Sequence, residues 1–232
     1  MNLSIVILTF NSQKYLHDVL KSASFADEIL LLDSGSTDET LNIAKSFSNV
    51  KILTQAWLGF GKQKQAGVEA SLKDWVFVLD SDEIITETLK KEIIATCEKP
   101  KYRAYMVPRL NYFFGKPIKR CGLYPDATLR LFNKKFAHFS DDEVHEKVIT
   151  HEKVGRLTHH MLHLAYSNIE EFINKQNRYS SLNKKSNFFK AIFSPYWTFL
   201  KIYILRLGFL EGKEGFIIAK LYAQYTFWKY IK

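Results

Sequence analysis

Cysteine is scarce in this chain: two residues, Cys97 and Cys121, among 232. Neither sits in metal-ligand spacing and two cannot build a disulfide framework, so a reducing cytoplasm is the simplest setting. Missing too are a basic flank before the apolar N-terminal run MNLSIVILTFN and a small-residue cleavage site after it. That run therefore reads as a first buried strand, not a signal peptide. No charge-free stretch in the C-terminal third approaches the roughly 20 residues that a membrane-spanning helix needs. Internal repeats and low-complexity segments are absent. Base-reading motifs are equally scarce, which argues against a nucleic-acid partner.

What the chain does have is an uneven charge. The net is +9, yet residues 1–100 hold 10 Lys/Arg against 14 Asp/Glu, while residues 101–232 hold 23 against 10. An acidic half suits a metal or a cation-assisted site; a basic half seeks phosphates, nucleic acid or an anionic membrane. With 47% hydrophobic residues, the chain can bury a core as one domain or one domain with an appendage.

The first hundred residues alternate strand and helix signals. LSIVILTF is a continuous apolar run, as in a parallel strand covered on both faces. Asn11-Ser12 can cap a helix with Tyr15, Leu16, Val19 and Leu20 at helical spacing. EILLLD is a second strand, and Ser36 with Glu39 forms a capping-box pattern for the next helix. VKIL, a helix from Gly61 to Leu72, and WVFVLD follow. Such repetition implies an open sheet with right-handed crossovers, whose ligands lie outside the carboxyl ends of the strands. Asn11, Asp33 and Asp80 all fall at those ends.

Asp80-Ser81-Asp82 can present two carboxylates to one hard divalent ion, Mg²⁺ or Mn²⁺, shared with substrate phosphates. Alone, the pattern also fits a solvated turn capping a helix that begins near Thr86. Asp33, followed by Ser34-Gly35-Ser36, can accept from the N3–H of a uracil while small residues let a nucleoside approach. Lys62 or Lys64 can face a diphosphate.

Together, VILTFN, LLLDSGSTDET, GFGKQKQAGVEA and DWVFVLDSDE resemble the nucleotide-sugar motifs of glycosyltransferase family two, inverting enzymes of the GT-A fold. VPRLNYFFGKPIKRCGLYPDATLRLF, VHEKV, LHLAYSN and GFLEGKEGF resemble its branch that adds β-linked sugars to the lipopolysaccharide inner core. The resemblance spans nearly the whole chain in motif order. It implies an α/β fold: a GT-A, Rossmann-like open mixed sheet flanked by helices, with a C-terminal helical extension. Residues 1–165 would form the nucleotide-sugar-binding and catalytic domain, and residues 166–232 the helical region.

The resemblance also implies roles. Asp33 touches the nucleobase, and the backbone from Thr9 to Asn11 lines the nucleoside pocket. Asp80 and Asp82 form the D-x-D, with Asp82 the direct metal ligand and Asp80 nearer the ribose or metal. Lys64 replaces a basic residue near the nucleotide. Inverting transfer needs a carboxylate to deprotonate the acceptor hydroxyl. In SDDEVHEKV the favoured base is Glu146, then Asp142, with Glu143 in the same segment. His163, within LHLAYS, is a further metal or diphosphate ligand. Arg109 and Arg130 either clamp phosphates or pair with acids at a strand edge.

The last 45 residues, SPYWTFLKIYILRLGFL and GFIIAKLYAQYTFWKYIK among them, read as an apolar, aromatic helical hairpin turning near Glu211–Gly215. Residues 188–232 carry seven Lys/Arg against two Glu, which suits a monotopic contact with an anionic membrane. The expected function is metal-dependent inverting transfer from a nucleotide-sugar, a UDP-hexose by resemblance, to a lipid-anchored phosphorylated saccharide at the cytoplasmic face of a bacterial inner membrane. A nucleotidyltransferase, and a non-catalytic module binding anionic lipid or nucleic acid, are the alternatives. The sugar, the linkage and the oligomeric state stay open.

Overall fold

The computed structural model describes residues 2–140, 146–182 and 185–232. The chain divides into two compact units, residues 1–109 with 127–163 and residues 110–126 with 164–232.

In the first unit β1 (Leu3–Thr9), β2 (Glu28–Asp33), β3 (Val50–Thr54) and β4 (Trp75–Asp80) alternate with α1 (Gln13–Ala23), α2 (Thr40–Lys45) and α3 (Phe60–Ala70). Then come β5 (Glu83–Ile85), α4 (Glu87–Glu98), β6 (Ala104–Phe113), β7 (Lys116–Pro117), which falls in the second unit, and β8 (Asp126–Asn133). Strands β9 (Ala137–Phe139), β10 (Val148–Thr150), β11 (Val154–Arg156) and β12 (Met161–Tyr166) follow. The sheet order is β3-β2-β1-β4-β8-β6-β12-β5, parallel from β3 to β4 and antiparallel where β8 joins β4 and β12 joins β5. It is an open mixed sheet.

Alternation along β1 explains why so apolar a run forms a central strand. Ile5 and Ile7 bury toward Leu16, Val19 and Leu20 of α1, whereas Val6 buries on the opposite face with Val68 of α3. Helix α3 comes so close to β1 that a Cβ on Gly67 would stand 2.5 Å from Val6 Cγ1. Only glycine fits that crossing. At α4 the Thr86 hydroxyl accepts from the Leu89 amide at 3.2 Å, a side-chain cap.

Two capping expectations fail. Ser12 takes the N-cap position of α1 without a side-chain cap bond; the Gln13 amide instead donates to Asp38 Oδ2 at 3.2 Å. Helix α2 starts at Thr40, after Glu39 rather than Ser36, because the Ser36 hydroxyl is engaged with Asp33 and with the Asn11 amide. A long-range partner outbids the local one.

The second unit is built on Phe113, Ile118, Tyr166, Phe172, Ile202 and Ile218. It holds α5 (Ile169–Leu182), α6 (Phe188–Leu200) and α7 (Lys213–Ile231), the latter two joined by a π-helical turn, Lys201–Leu205, and a 3-10 turn, Gly208–Glu211. Helices α6 and α7 run antiparallel: Thr198 meets Thr226 at 3.2 Å, and the Asn187 amide donates to the Tyr230 carbonyl. Glu211, 9% exposed, accepts from the Lys119 and Arg120 amides at 2.9 Å each, so burial of its charge is compensated.

Candidate active site

Strand pairing sets the site. Thr9 pairs with Asp33 on one side of β1, and Leu8 pairs with Asp80 on the other. The two acids hang from strands flanking β1 at the same carboxyl edge, roughly 10 Å apart by strand spacing.

Asp33 is 1% exposed and fully bonded. Oδ1 accepts from the Thr9 hydroxyl at 3.0 Å and the Ser36 hydroxyl at 2.5 Å. Oδ2 accepts from the Gly35 and Ser36 amides at 2.9 and 2.8 Å. Burial alone pushes this carboxyl up, but the Ser36 and Thr9 hydroxyls and the Ser36 and Gly35 amides outweigh it and hold it below the usual carboxylate range. Asn11, in the left-handed region at φ 49°, accepts from the Thr37 amide at 2.9 Å through Oδ1. It therefore braces the β2–α2 loop against the end of β1.

Beyond β4 a chain of alternating charges runs inward. Lys64 Nζ lies 2.7 Å from Glu146 Oε1 and 3.3 Å from Asp80 Oδ1. Arg130 Nη2 lies 2.6 Å from Asp80 Oδ2 and 2.7 Å from Glu83 Oε1, and Arg109 Nη1 reaches the same Glu83 oxygen at 3.2 Å. Glu83 Oε2 accepts from the Asp80 amide at 3.0 Å. Glu83 is fully buried and Arg130 only 4% exposed, so neither charge is tolerable without the other. Burial opposes charge on Asp80, yet the Arg130 and Lys64 cations keep its carboxyl far below the usual range. The same acids hold the Arg130 guanidinium protonated against its burial.

Of the two lysines weighed from the sequence, Lys62 is exposed on α3 and Lys64 is buried on the acid side. His163 pairs with Glu83 across β12 and β5, which brings its Nε2 to 3.5 Å from Asp82 Oδ2. Asp142 and Glu143 lie outside the described residues. Glu83 was not singled out from the sequence. The signal was there: Arg109 and Arg130 each sit within apolar strands, and arginines so placed require a buried acid.

Among the described residues no group of three or more His, Cys, Asp or Glu side chains is arranged to hold a metal. Asp82 with His163 does offer two donors of suitable chemistry, whereas both Asp80 oxygens already face cations. A hard divalent ion that keeps water and substrate phosphates as its other ligands fits such a partial set. A separate cavity of about 350 Å³ is lined by Lys134–His138 and Ile149–Glu152, none of them a residue assigned to the chemistry.

Residues 4–151 match the family model Glycosyl transferase family 2. Over 97% of its length the chain is 29% identical to the lipopolysaccharide core biosynthesis glycosyltransferase LpsC of Rhizobium meliloti, spanning 89% of that protein. It is equally 29% identical, over 95% of its length and 82% of the relative's, to an uncharacterized glycosyltransferase of Rickettsia typhi. Staphylococcus aureus TarS 1–349, solved in complex with UDP-GlcNAc, superposes with a TM-score of 0.53 at 16% identity, covering 94% of this chain and 79% of that one.

Proposed function

The chain belongs to glycosyl transferase family 2 and has the GT-A fold, and from that premise we propose that it moves a sugar with inversion from a uridine nucleotide-sugar to a lipid-linked saccharide of the lipopolysaccharide core type. The observation that carries this reading is the convergence of Asp33, Asp80, Asp82, Lys64 and Glu146 around one edge of β1, β2 and β4. The similarity to LpsC supports the acceptor class, and the TarS complex supports the donor class.

In this reading Thr9, Asn11 and Asp33 receive the nucleoside. The base N–H takes the place of one of the two rotatable hydroxyls, Ser36 or Thr9, that donate to Asp33 Oδ1. Lys64 and Asp80 meet the diphosphate and ribose, with Arg130 holding Asp80 in place. Asp82 and His163 would hold Mg²⁺ or Mn²⁺, which supplies positive charge to the departing diphosphate when bound. Glu146 accepts the proton of the acceptor hydroxyl as that oxygen attacks the anomeric carbon, and Asp142 is the second candidate for this role. Residues 1–165 perform the transfer, while residues 166–232 bring the enzyme to the anionic membrane surface where the acceptor is anchored.

The test incubates the protein with individual uridine nucleotide-sugars, Mn²⁺ or Mg²⁺, and a lipooligosaccharide acceptor of truncated core. A glycosidic product with free nucleoside diphosphate is expected. Release of pyrophosphate with a nucleotidyl product would replace this reading with a nucleotidyltransferase.

A further inference from the structure

Helix α6 has a single buried residue, Ala191. Phe189, Phe193, Tyr196 and Trp197 stand 74%, 68%, 70% and 59% exposed, and Leu205 and Leu210 beyond the helix are 63% and 58% exposed. Large apolar side chains thus face outward along the whole stretch from Phe188 to Leu210. Contiguous exposed apolar surface of this extent marks an interaction site rather than ordinary scatter.

Charge selects the occupant. Residues 188–210 contain Lys190, Lys201 and Arg206, all exposed, and no Asp or Glu. A second copy would bring cations against cations, with no acid in the stretch to pair them. A membrane with anionic headgroups satisfies all three. The residue mixture agrees, since Trp and Tyr rest at headgroup level with Lys and Arg beside them. Geometry sets the mode: at 13 residues α6 is about 20 Å long, against about 30 Å of hydrocarbon. Among the described residues no helix is long and apolar enough to cross a membrane.

We propose that α6 and the turns after it lie in the plane of an anionic bilayer, with Phe189, Phe193 and Trp197 inserted below the headgroups and Lys190, Lys201 and Arg206 paired with lipid phosphates. This deepens the reading above by naming the surface that meets the membrane, and it rests on that reading only for the biological setting. The inner side of the hairpin stays with its own core, where Phe199 stacks on Tyr203 and meets Phe216 edge-on. Insertion therefore requires no refolding.

The full chain is mixed with phosphatidylglycerol-containing vesicles or pure phosphatidylcholine vesicles, with no nucleotide-sugar present, and the bound fraction is read by co-sedimentation. Strong binding to the first, weak binding to the second and weakening by salt are expected. Phe189→Ser/Phe193→Ser/Trp197→Ser should lower binding at least tenfold with little change in melting temperature, because these side chains are mostly exposed and none belongs to the buried core. Lys190→Gln/Lys201→Gln/Arg206→Gln should weaken the preference for the anionic vesicles and flatten its salt dependence. Wild-type protein left in the supernatant, or a triple serine variant that still binds, overturns the proposal. So does a lipid-free dimer that the triple variant converts to monomer, which would give the face to a second copy. Vesicle binding without sugar transfer would sink the proposed function and leave this inference standing, whereas sugar transfer without vesicle binding would sink this inference, and with it the membrane role of residues 166–232, while leaving the transfer chemistry intact.

Discussion

Lys64 Nζ sits 2.7 Å from Glu146 Oε1, joining residues 82 positions apart. The ammonium thus occupies one of the two Glu146 oxygens to which an acceptor hydroxyl would donate, and it leaves that oxygen when Lys64 turns to another anion. The lysine already lies 3.3 Å from Asp80 Oδ1, on the side assigned to the diphosphate. In the proposed mechanism, donor binding and access to Glu146 would thereby be linked through one ammonium group.

Glu146→Gln is expected to lower kcat by about 10²- to 10⁴-fold, the usual contribution of a general base, with little change in donor KM. Lys64→Met should chiefly raise donor KM. Steady-state kinetics on variants with wild-type circular dichroism separates the two. A fully active Glu146→Gln enzyme would move the base to Asp142 or elsewhere.

Arg130→Met removes the shortest cation contact of both Glu83 and Asp80, leaving them only Arg109 and Lys64, and should cost up to about 3–5 kcal/mol of stability. Adding Glu83→Leu should recover much of that loss, because the uncompensated charge goes with it. Urea unfolding of the single and double variants measures both.

Asp82 is one-third exposed and meets His163 only at 3.5 Å, so Asp82→Ala should leave the melting temperature of the free protein within a degree or two of wild type. What disappears is the rise in melting temperature produced by Mn²⁺ together with a uridine nucleotide-sugar, a gain of about 2.7 kcal/mol at a hundredfold excess over Kd. Retention of that rise in the variant would remove Asp82 from the metal site.

Asp33 carries an acid-sensitive share of stability. Its folded-state pKa is depressed, so the contribution is complete above the ordinary carboxylate value and is lost as pH falls through the folded value. Asp33→Asn should be less stable at neutral pH and should lose less between neutral pH and strong acid. Urea midpoints measured across the acid range test the sign: a steeper acid loss in the variant would contradict it.

The strands that bear the site were legible because buried parallel strands are continuous apolar runs, and LSIVILTF, EILLLD and WVFVLD each end where the structure ends them, within a residue. Asp33 and Asp80 followed from those ends. Ser36 was misread because its capping signature is local, whereas its partners, Asp33 and the Asn11 amide, include one 25 residues away. Glu83 is hard to pick out for a related reason: the arginines that demand a buried acid do not say which acid. In sequence it is the third acid of a polar turn, and only the arrival of β6 and β8 with Arg109 and Arg130 turns it into a buried group. Contacts made by elements far apart along the chain leave little trace in a local pattern.

The pairing of β1 with β2 and β4 has a practical consequence for redesign. Because main-chain ladders fix the separation of Asp33 and Asp80, neither acid depends on a connecting segment for its address. Other segments around the site can be lengthened, shortened or exchanged between relatives while the two acids assigned to the nucleotide stay where they are. Libraries aimed at a new donor should therefore vary those segments freely and leave the phase of the three strands untouched, since slipping β1 by one residue would turn Thr9 away and exchange its two faces.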